Sequence, residues 1–307
     1  MSQKIVFMGT SNFAVPILKS LYQNGYPISA VYTQPPKKSK RGQKLNKSPI
    51  NLFSENISLD VRTPQSLKNN NEEESYLTEL KPDIIIVVSY GQIIPKNLLT
   101  IPKYGFLNVH ASLLPKWRGA APIERALLNK ENETGISIMK IIKKLDAGPF
   151  IKQVKVKIHK ETTSGELIKK LSVIGAEALK DSIELISSGK AIFKEQNEKE
   201  ATYAKKINKI ETRINWKDKA ENIIAKINAF NPKPGAWFLL KNERIKILKA
   251  KEVKKNGGEG EILDDNLTIG CSTNAIQILR IQKEGKRDMD IKEFLVGNNL
   301  DKGTKLS

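Results

Sequence analysis

The sequence predicts an α/β protein, in which a doubly wound parallel sheet of the Rossmann-like type precedes a smaller C-terminal domain. In the first half, short apolar runs alternate with helical patterns, as is typical of a parallel sheet with helices on both faces. The run Ile84–Val88 is aliphatic throughout, as expected of a strand covered on both sides. In the last third, Gly, Asn and Asp separate five short strand candidates, which predicts a five-stranded barrel of the oligonucleotide-binding (OB) type.

The sheet is predicted from apolar runs with helical segments between them. The strand candidates are Ile5–Met8, Ile28–Thr33, Ile84–Val88, Phe106–Val109 and Ile136–Ile141. The helical patterns cover Phe13–Gln23, Glu72–Leu80 and Ile123–Asn129. We expect Asn12 to cap the first helix and Pro82 to stop the second, because proline cannot continue a helix. The stretch Gln34–Lys47 contains two prolines and a glycine and predicts a long loop.

A long helix and then a change of pattern divide the chain. Thr163–Glu166 has the spacing of a capping box, and the apolar stripe after it continues to Gly189. A helix at about Lys219–Ala229 then precedes the barrel strands, which are Ala236–Leu240, Ile245–Ala250, Glu261–Leu263, Leu267–Ile269 and Ala275–Ile281. We predict an N-terminal domain over residues 1–190, a lysine-rich linker over 191–209 and the barrel domain over 210–307. Residues 298–307 are expected to form a frayed tail.

The chain is strongly basic. It has 52 Lys and Arg against 33 Asp and Glu, a net charge of +19 and a pI of about 9.7. Such a charge attracts polyanions, although a general compositional bias toward lysine is an alternative reason for it. Position therefore matters more than the total. Lys37–Lys47 holds six basic residues and no acid, and Lys205–Lys255 holds fifteen basic residues and five acidic ones. These two segments are the candidate polyanion surface.

Several classes of protein are disfavoured by composition. No apolar run approaches the roughly 18 residues that span a bilayer, and the N-terminus lacks the order of a signal peptide. Cys271 is the only cysteine, so an intrachain disulfide and a cysteine-rich zinc site are excluded. We expect a cytoplasmic monomer that has no metal and no membrane partner.

Three polar residues are candidates for catalysis. Asn108 and His110 are two apart at the end of a predicted strand, so they point to the same face, and Asp146 follows the next strand. A base, an oxyanion donor and a proton source are what acyl transfer to an amine requires. Ser112 has no adjacent general base in sequence and Cys271 lies in the other domain. Direct attack through a tetrahedral intermediate is therefore favoured over a covalent enzyme intermediate.

Four segments carry a resemblance to a known family. They are Phe7–Pro16, Asn108–Gly119, Leu145–Pro149 and Asn231–Trp237. In order and spacing they resemble the folate-dependent formyltransferases, and the fourth resembles the enzymes that formylate methionyl-tRNA. The resemblance implies 10-formyltetrahydrofolate as the formyl donor and initiator methionyl-tRNA as the acceptor. It also implies that Asn108, His110 and Asp146 are catalytic and that Ser112, Leu113, Leu114 and Pro115 contact the folate.

The basic loop has two interpretations. The resemblance implies that Lys37, Lys38, Lys40, Arg41 and Lys44 bind the tRNA acceptor end, where Arg and Lys would hold phosphates. The alternative is a solvated insertion. For the whole chain two other functions stay open, a formyltransferase for an amino-sugar nucleotide and a non-catalytic nucleic-acid-binding protein. The Asn231–Trp237 segment disfavours the first, and the three catalytic candidates disfavour the second.

Overall fold

The computed structural model describes residues 3–39, 44–298 and 300–306. The chain divides into two compact units. The first comprises residues 1–119, 134–156 and 168–203, and the second comprises 120–133, 157–167 and 204–307. The predicted linker 191–209 is thus shared, because residues 191–203 belong to the first unit and 204–209 to the second. The domain boundaries at 190 and 210 stay a prediction.

The elements up to residue 204 include the five strands and the three helices predicted for the first half of the chain. In chain order they are β1 (Ile5–Gly9), α1 (Ala14–Gln23), β2 (Ile28–Tyr32), β3 (Lys37–Ser39), β4 (Lys44–Asn46), α2 (Pro49–Asn56), β5 (Val61–Arg62), α3 (Asn71–Leu80), β6 (Ile84–Val88), β7 (Phe106–His110), β8 (Arg118–Gly119), α4 (Pro122–Leu128), β9 (Glu133–Lys140), β10 (Phe150–Lys157), α5 (Ser164–Ser187) and β11 (Tyr203–Ala204). Short 3₁₀ turns lie at Leu98–Thr100, Glu198–Glu200 and Lys209–Thr212.

The main sheet has the strand order β5-β2-β1-β6-β7-β9-β10. The neighbouring strands β5, β2, β1, β6 and β7 are all parallel, and β6 is buried on both faces as its aliphatic sequence predicts. However, β9 runs antiparallel to β7, with His110 opposite Ser137 and Leu107 opposite Lys140. The sheet is therefore mixed rather than wholly parallel. Mixed sheets of this kind, with antiparallel pairing toward one side of an otherwise parallel sheet, are common.

Two local predictions in the first unit are corrected. Asn12 does not cap α1, because Phe13 occupies the N-cap position without a side-chain cap bond. The stretch Gln34–Lys47 is not all loop, since β3 and β4 pair antiparallel, with Lys37 opposite Asn46. Three residues on each side are too few for a periodic signal, so pattern reasoning missed this ribbon.

The start of α5, in the second unit, is confirmed. The hydroxyl of Thr163 accepts a bond of 3.3 Å from the Glu166 N–H, and the Glu166 carboxylate accepts one of 2.8 Å from the Thr163 N–H. This is the reciprocal pair of a capping box, as the spacing of the two residues predicts.

The C-terminal part of the second unit is an antiparallel, barrel-like sheet with helices. Its elements are α6 (Ala220–Phe230), β12 (Ala236–Leu240), β13 (Glu243–Val253), β14 (Ile262–Asp264), β15 (Thr268–Gly270), β16 (Ala275–Lys283), β17 (Asp288–Asp290) and α7 (Ile291–Val296). The strand order is β12-β13-β16-β15-β14, with β17 also paired to β16. The five predicted strands correspond to β12–β16, whereas β17 and α7 were not predicted.

The expected frayed tail is wrong for the described residues 300–306. The Leu306 N–H donates to the Gly260 oxygen at 2.8 Å, the Ile262 N–H donates to the Thr304 oxygen at 2.9 Å, and Leu306 is only 9% exposed. The tail thus extends the β14 edge through backbone bonds, which a hydropathy pattern does not reveal. Within the described residues, no helix is long and apolar enough to cross a membrane.

Candidate active site

Asn108, His110 and Asp146 come together in the first unit. Asn108 and His110 lie on β7 two residues apart, so both side chains leave the same face of the strand. The Asn108 Nδ2 lies 3.4 Å from Oδ1 of Asp146, and Nδ1 of His110 lies 3.8 Å from Oδ2 of Asp146. The carboxylate therefore has one oxygen toward the amide and the other toward the imidazole.

Asp146 reaches this position by an unexpected path. Because β9 is antiparallel to β7, the loop that follows Lys140 begins beside Leu107 and not beside His110. Asp146 has φ +46°, in the left-handed region that non-glycine residues rarely adopt. Its Oδ2 accepts a hydrogen bond of 2.8 Å from the Gly119 N–H. The local backbone and this bond together aim the carboxylate at β7.

The hydrogen bond of His110 identifies its tautomer. Nε2 lies 2.9 Å from the backbone oxygen of Trp117. A carbonyl oxygen only accepts hydrogen bonds, so we assign the proton to Nε2. The nitrogen that faces Asp146 is then Nδ1. His110 is 5% exposed, so the ring is also held by packing.

The segment Ser112–Pro115 is fixed by a buried hydrogen-bond network. The Ser137 hydroxyl donates to the Ser112 oxygen at 2.7 Å and accepts from the Leu114 N–H at 3.1 Å. Nε2 of Gln153 donates both to this hydroxyl and to the Leu114 oxygen, each at 2.8 Å. Ser112 and Leu114 are buried, whereas Leu113 and Pro115 are half-buried. The segment thus offers two apolar side chains on a rigid backbone.

Sequence reasoning missed a second network behind Asp146. Arg118 is fully buried, and its guanidinium donates to Oε1 of Gln196 at 2.8 and 3.0 Å and to Glu198 at 3.0 and 3.1 Å. Lys144 also bonds to Glu198, at 2.6 Å. Arg118 and Lys144 hold the pKa of the Glu198 carboxyl well below its ordinary value, at about 2. Sequence gave no signal for Gln196 and Glu198, because both lie in the predicted linker.

The structure describes only part of the predicted tRNA-binding loop. Lys37 is exposed at the start of β3. The backbones of Lys38 and Lys44 pair within the β3-β4 ribbon, and Lys40 and Arg41 lie outside the described residues. A role for these five residues stays a prediction. Across the described part of the chain, no group of His, Cys, Asp and Glu residues could hold a metal ion.

This arrangement suits proton transfer and charge stabilisation at one point. It offers a carboxylate that can accept a proton, an amide that can donate a hydrogen bond, and an imidazole whose free nitrogen faces the carboxylate. These are the groups that acyl transfer to an amine uses.

Comparisons with known proteins show the family and agree with the fold. The family described as formyl transferase matches residues 3–183, and the formyl transferase C-terminal domain matches residues 206–299. A relative named methionyl-tRNA formyltransferase, from Pelagibacter ubique (strain HTCC1062), is 53% identical over 308 residues, covering 100% of this chain and 99% of the relative. A relative of the same name from Caldanaerobacter subterraneus subsp. tengcongensis is 43% identical, covering 99% of each chain.

A solved structure supports the fold alone. The sugar 3N-formyl transferase WlaRD, crystallised in the presence of dTDP and 5-N-formyl-THF, superposes with a TM-score of 0.68. It is 22% identical, and the match covers 94% of this chain and 100% of that one. The two-part family match covers the regions of the chain that contain the four segments singled out in the sequence.

Proposed function

This chain belongs to the methionyl-tRNA formyltransferase family, and on that premise we propose that it transfers a formyl group from 10-formyltetrahydrofolate to the amino group of initiator methionyl-tRNA. Two full-length relatives that bear this name, at 53% and 43% identity, support the acceptor. The formyl transferase match over residues 3–183 supports the folate donor. The protein is an enzyme of translation initiation that works without a metal.

Asp146 is the base in this mechanism. It takes a proton from the methionyl amine, directly or through a water, and the freed amine attacks the formyl carbon. The Asn108 amide donates a hydrogen bond to the formyl oxygen and stabilises the negative charge that develops there, as a preorganised donor does. His110 adds to this through Nδ1 only when that nitrogen also carries a proton, because its Nε2–H is already bonded to the Trp117 oxygen.

When the tetrahedral intermediate collapses, the bond between the formyl carbon and the folate nitrogen breaks and that nitrogen takes the proton held by Asp146. The attacking nitrogen, which enters as an ammonium and ends as an amide, gives its second proton to water. The proton held by Asp146 thus leaves with the folate product, and no covalent enzyme intermediate forms.

The Ser112–Pro115 segment is the proposed folate contact. Its buried members, Ser112 and Leu114, are fixed by Ser137 and Gln153, so they shape the segment and do not reach a ligand with their side chains. The half-buried Leu113 and Pro115 present apolar surface, which fits the flat ring system of a folate. Leu113 and Pro115 thus bind the folate, whereas Ser112 and Leu114 shape the segment.

The tRNA contacts are proposed for two basic segments. One is Lys37, Lys38, Lys40, Arg41 and Lys44 of the loop, and the other lies within Lys205–Lys255 of the second unit. Their charge suits the phosphates of an acceptor stem and its single-stranded end. An amino-sugar nucleotide would require neither segment. The localisation expected for a translation enzyme is the cytoplasm, and we expect a monomer.

The observation that carries the proposal is the convergence of Asn108, His110 and Asp146 in a chain related to these enzymes along its whole length. The deciding experiment offers the protein 10-formyltetrahydrofolate with initiator methionyl-tRNA, elongator methionyl-tRNA or an amino-sugar nucleotide. We expect formylation of the initiator tRNA, with the elongator as a poor substrate. Formylation of the sugar nucleotide alone would support the alternative of an amino-sugar-nucleotide formyltransferase. If no acceptor is formylated, the alternative of a non-catalytic nucleic-acid-binding protein would be supported.

A further inference from the structure

Gln196 uses its whole side-chain amide in hydrogen bonds within the first unit. Its Nε2 donates to the backbone oxygens of Asp146 at 2.9 Å and Gly148 at 2.7 Å. Its Oε1 accepts two bonds from the Arg118 guanidinium, at 2.8 and 3.0 Å. The residue is 9% exposed. A primary amide has two N–H donors and two lone pairs, so the hydrogen-bonding capacity of Gln196 is filled.

These bonds close a ring around Asp146. The Asp146 carboxylate accepts from the Gly119 N–H, and Gly119 follows Arg118 in the chain. The Arg118 guanidinium binds Gln196, which in turn binds the Asp146 backbone oxygen. The ring therefore fixes both ends of the same residue, the peptide and the carboxylate. Without Gln196 only the carboxylate end would remain attached.

Asp146 needs such support because of its backbone. Its φ of +46° lies in a sparsely populated region, and such a residue persists only when its surroundings hold it there. The adjoining Lys144 and Leu145 are exposed and provide little packing. On the other side, Gly148 approaches Lys140 so closely that a Cβ would lie 1.9 Å from the Lys140 oxygen. Gln196 binds the loop between these two regions.

Gln196 is itself held in place by backbone pairing. Phe150 and Lys194 exchange two backbone hydrogen bonds, at 2.9 and 2.8 Å, so the segment is docked against the start of β10 two residues before Gln196. The segment behaves as part of the catalytic unit and not as a free connection. Because the segment is docked, the Gln196 side chain has a fixed position from which it can hold the Asp146 loop in place.

We infer that Gln196 is a positioning residue for Asp146, an inference that rests on the proposed role of Asp146 as the base. Gln196 does not touch the reacting groups. It fixes the Asp146 peptide, so that the carboxylate stays within reach of Asn108 and His110. Displacement of a reacting group by about 1 Å can cost roughly a hundredfold in rate. Loss of Gln196 therefore lowers kcat and leaves the affinity for tRNA and folate nearly unchanged.

Two substitutions separate positioning from stability. Gln196→Ala removes all four bonds and leaves the buried Arg118 partly unpaired, so both kcat and thermal stability fall. Gln196→Glu keeps the acceptor for Arg118 but sets a carboxylate oxygen against the oxygens of Asp146 and Gly148. We expect Gln196→Glu to unfold within a few degrees of the parent protein and yet to lose roughly 10- to 100-fold in kcat. A merely structural residue would not show this split.

The controls locate any failure. Asn70→Ala removes another amide that bridges backbone groups, between Ser66 and Glu73 at the start of α3, and should lower stability without changing kcat. Asp146→Asn sets the scale for loss of the base. If Asp146→Asn is inactive while Gln196→Glu keeps kcat within twofold of the parent, the positioning role is wrong and the proposed function stands. If Asp146→Asn is fully active, the proposed site itself fails.

Discussion

The backbone N–H of Gly119 donates a 2.8 Å hydrogen bond to Oδ2 of Asp146, and this bond connects the two segments on which the proposed chemistry depends. Gly119 follows the Ser112–Pro115 segment, and Asp146 lies in the loop between β9 and β10. The bond leaves Oδ1 beside the Asn108 amide, at 3.4 Å. Oδ2 thus anchors the Asp146 side chain, whereas Oδ1 faces the Asn108 amide on β7.

Replacing Asp146 with Asn should abolish most turnover. The substitution keeps the shape of the side chain but removes the base, so we expect a loss on the order of a hundredfold or more in single-turnover formylation. Binding of tRNA should be nearly unchanged. Asp265→Asn, at an exposed position of the second unit, is the matched control and should be fully active. A variant Asp146→Asn with most of its turnover would show that the base lies elsewhere.

The tautomer of His110 can be tested directly. The chain has only two histidines, so ¹⁵N spectra of the protein and of a His159→Gln variant assign the His110 ring without ambiguity. We expect the neutral ring to carry its proton on Nε2, because that nitrogen donates to the Trp117 oxygen. A neutral ring protonated on Nδ1 would contradict the hydrogen-bond assignment and would mean that an N–H, and not a lone pair, faces Asp146.

The sequence predicts the parallel strands and the identity of the polar candidates better than it predicts their geometry. Ile84–Val88 is correct to the residue, because a strand buried on both faces needs an unbroken apolar run. The direction of β9 was not accessible, since its apolar pattern is the same for either orientation. The expectation that Asp146 follows a parallel strand was therefore wrong, although Asp146 does lie beside Asn108.

The supporting residues of the site were inaccessible for a different reason. Gln196 and Glu198 lie in a polar stretch, where a linker and a docked segment have the same composition. Their roles come from contacts with Arg118, about 80 residues earlier in the chain, so no local pattern reveals them. Ser137 is likewise a polar residue inside an apolar strand, and only its three hydrogen bonds explain its burial.

Replacing Ser137 with Ala should weaken folate binding selectively. The change leaves the Leu114 N–H without its acceptor and the Ser112 oxygen without its donor, and each unsatisfied buried group costs about 1–3 kcal/mol. We expect the Michaelis constant for the folate to rise roughly 5- to 100-fold, with the constant for tRNA unchanged. Gln153→Ala should act in the same direction, because it removes the bond to the Leu114 oxygen.

Ser182→Ala is the control for the serine substitution. Ser182 is also fully buried, but among the residues that the structure describes its hydroxyl bonds only to the Ala178 oxygen of its own helix. Its removal should therefore leave both Michaelis constants unchanged. A rise in both constants for Ser137→Ala, or in neither, would argue against a shaping role for Ser137. If Ser137→Ala and Ser182→Ala change the Michaelis constants equally, the cause is a general loss of stability.

The Glu198 carboxylate should make stability depend on acidity in a defined window. Its pKa is lowered from 4.5 to about 2 in the folded protein, chiefly by Arg118 and then by Lys144. A depressed carboxyl pKa contributes stability above the unfolded-state value and loses it as the pH falls toward the folded-state value. Glu198→Gln should therefore unfold at a lower temperature than the parent above about pH 4.5, and this difference should shrink as the pH falls toward 2. A difference that is the same at both ends of this range would exclude the ionised pair as its cause.

The basic loop should determine how tRNA binding depends on salt. Each phosphate contact that displaces a counterion contributes about 0.7–0.9 to the slope of log affinity against log salt. Changing Lys37, Lys38, Lys40, Arg41 and Lys44 together to Gln should flatten this slope and raise the Michaelis constant for tRNA, while the constant for the folate stays the same.

The matched control changes five exposed lysines elsewhere in the first unit to Gln, which are Lys19, Lys68, Lys96, Lys170 and Lys190. It removes the same net charge. A larger effect of the loop variant would therefore show that the position of the basic residues matters, and not only their total charge. Arg41→Lys then tests geometry, because a planar guanidinium can hold a phosphate through two bonds and an ammonium cannot. If the loop variant and the control formylate tRNA equally well at about 150 mM salt, the loop is a solvated insertion and the lysines reflect composition.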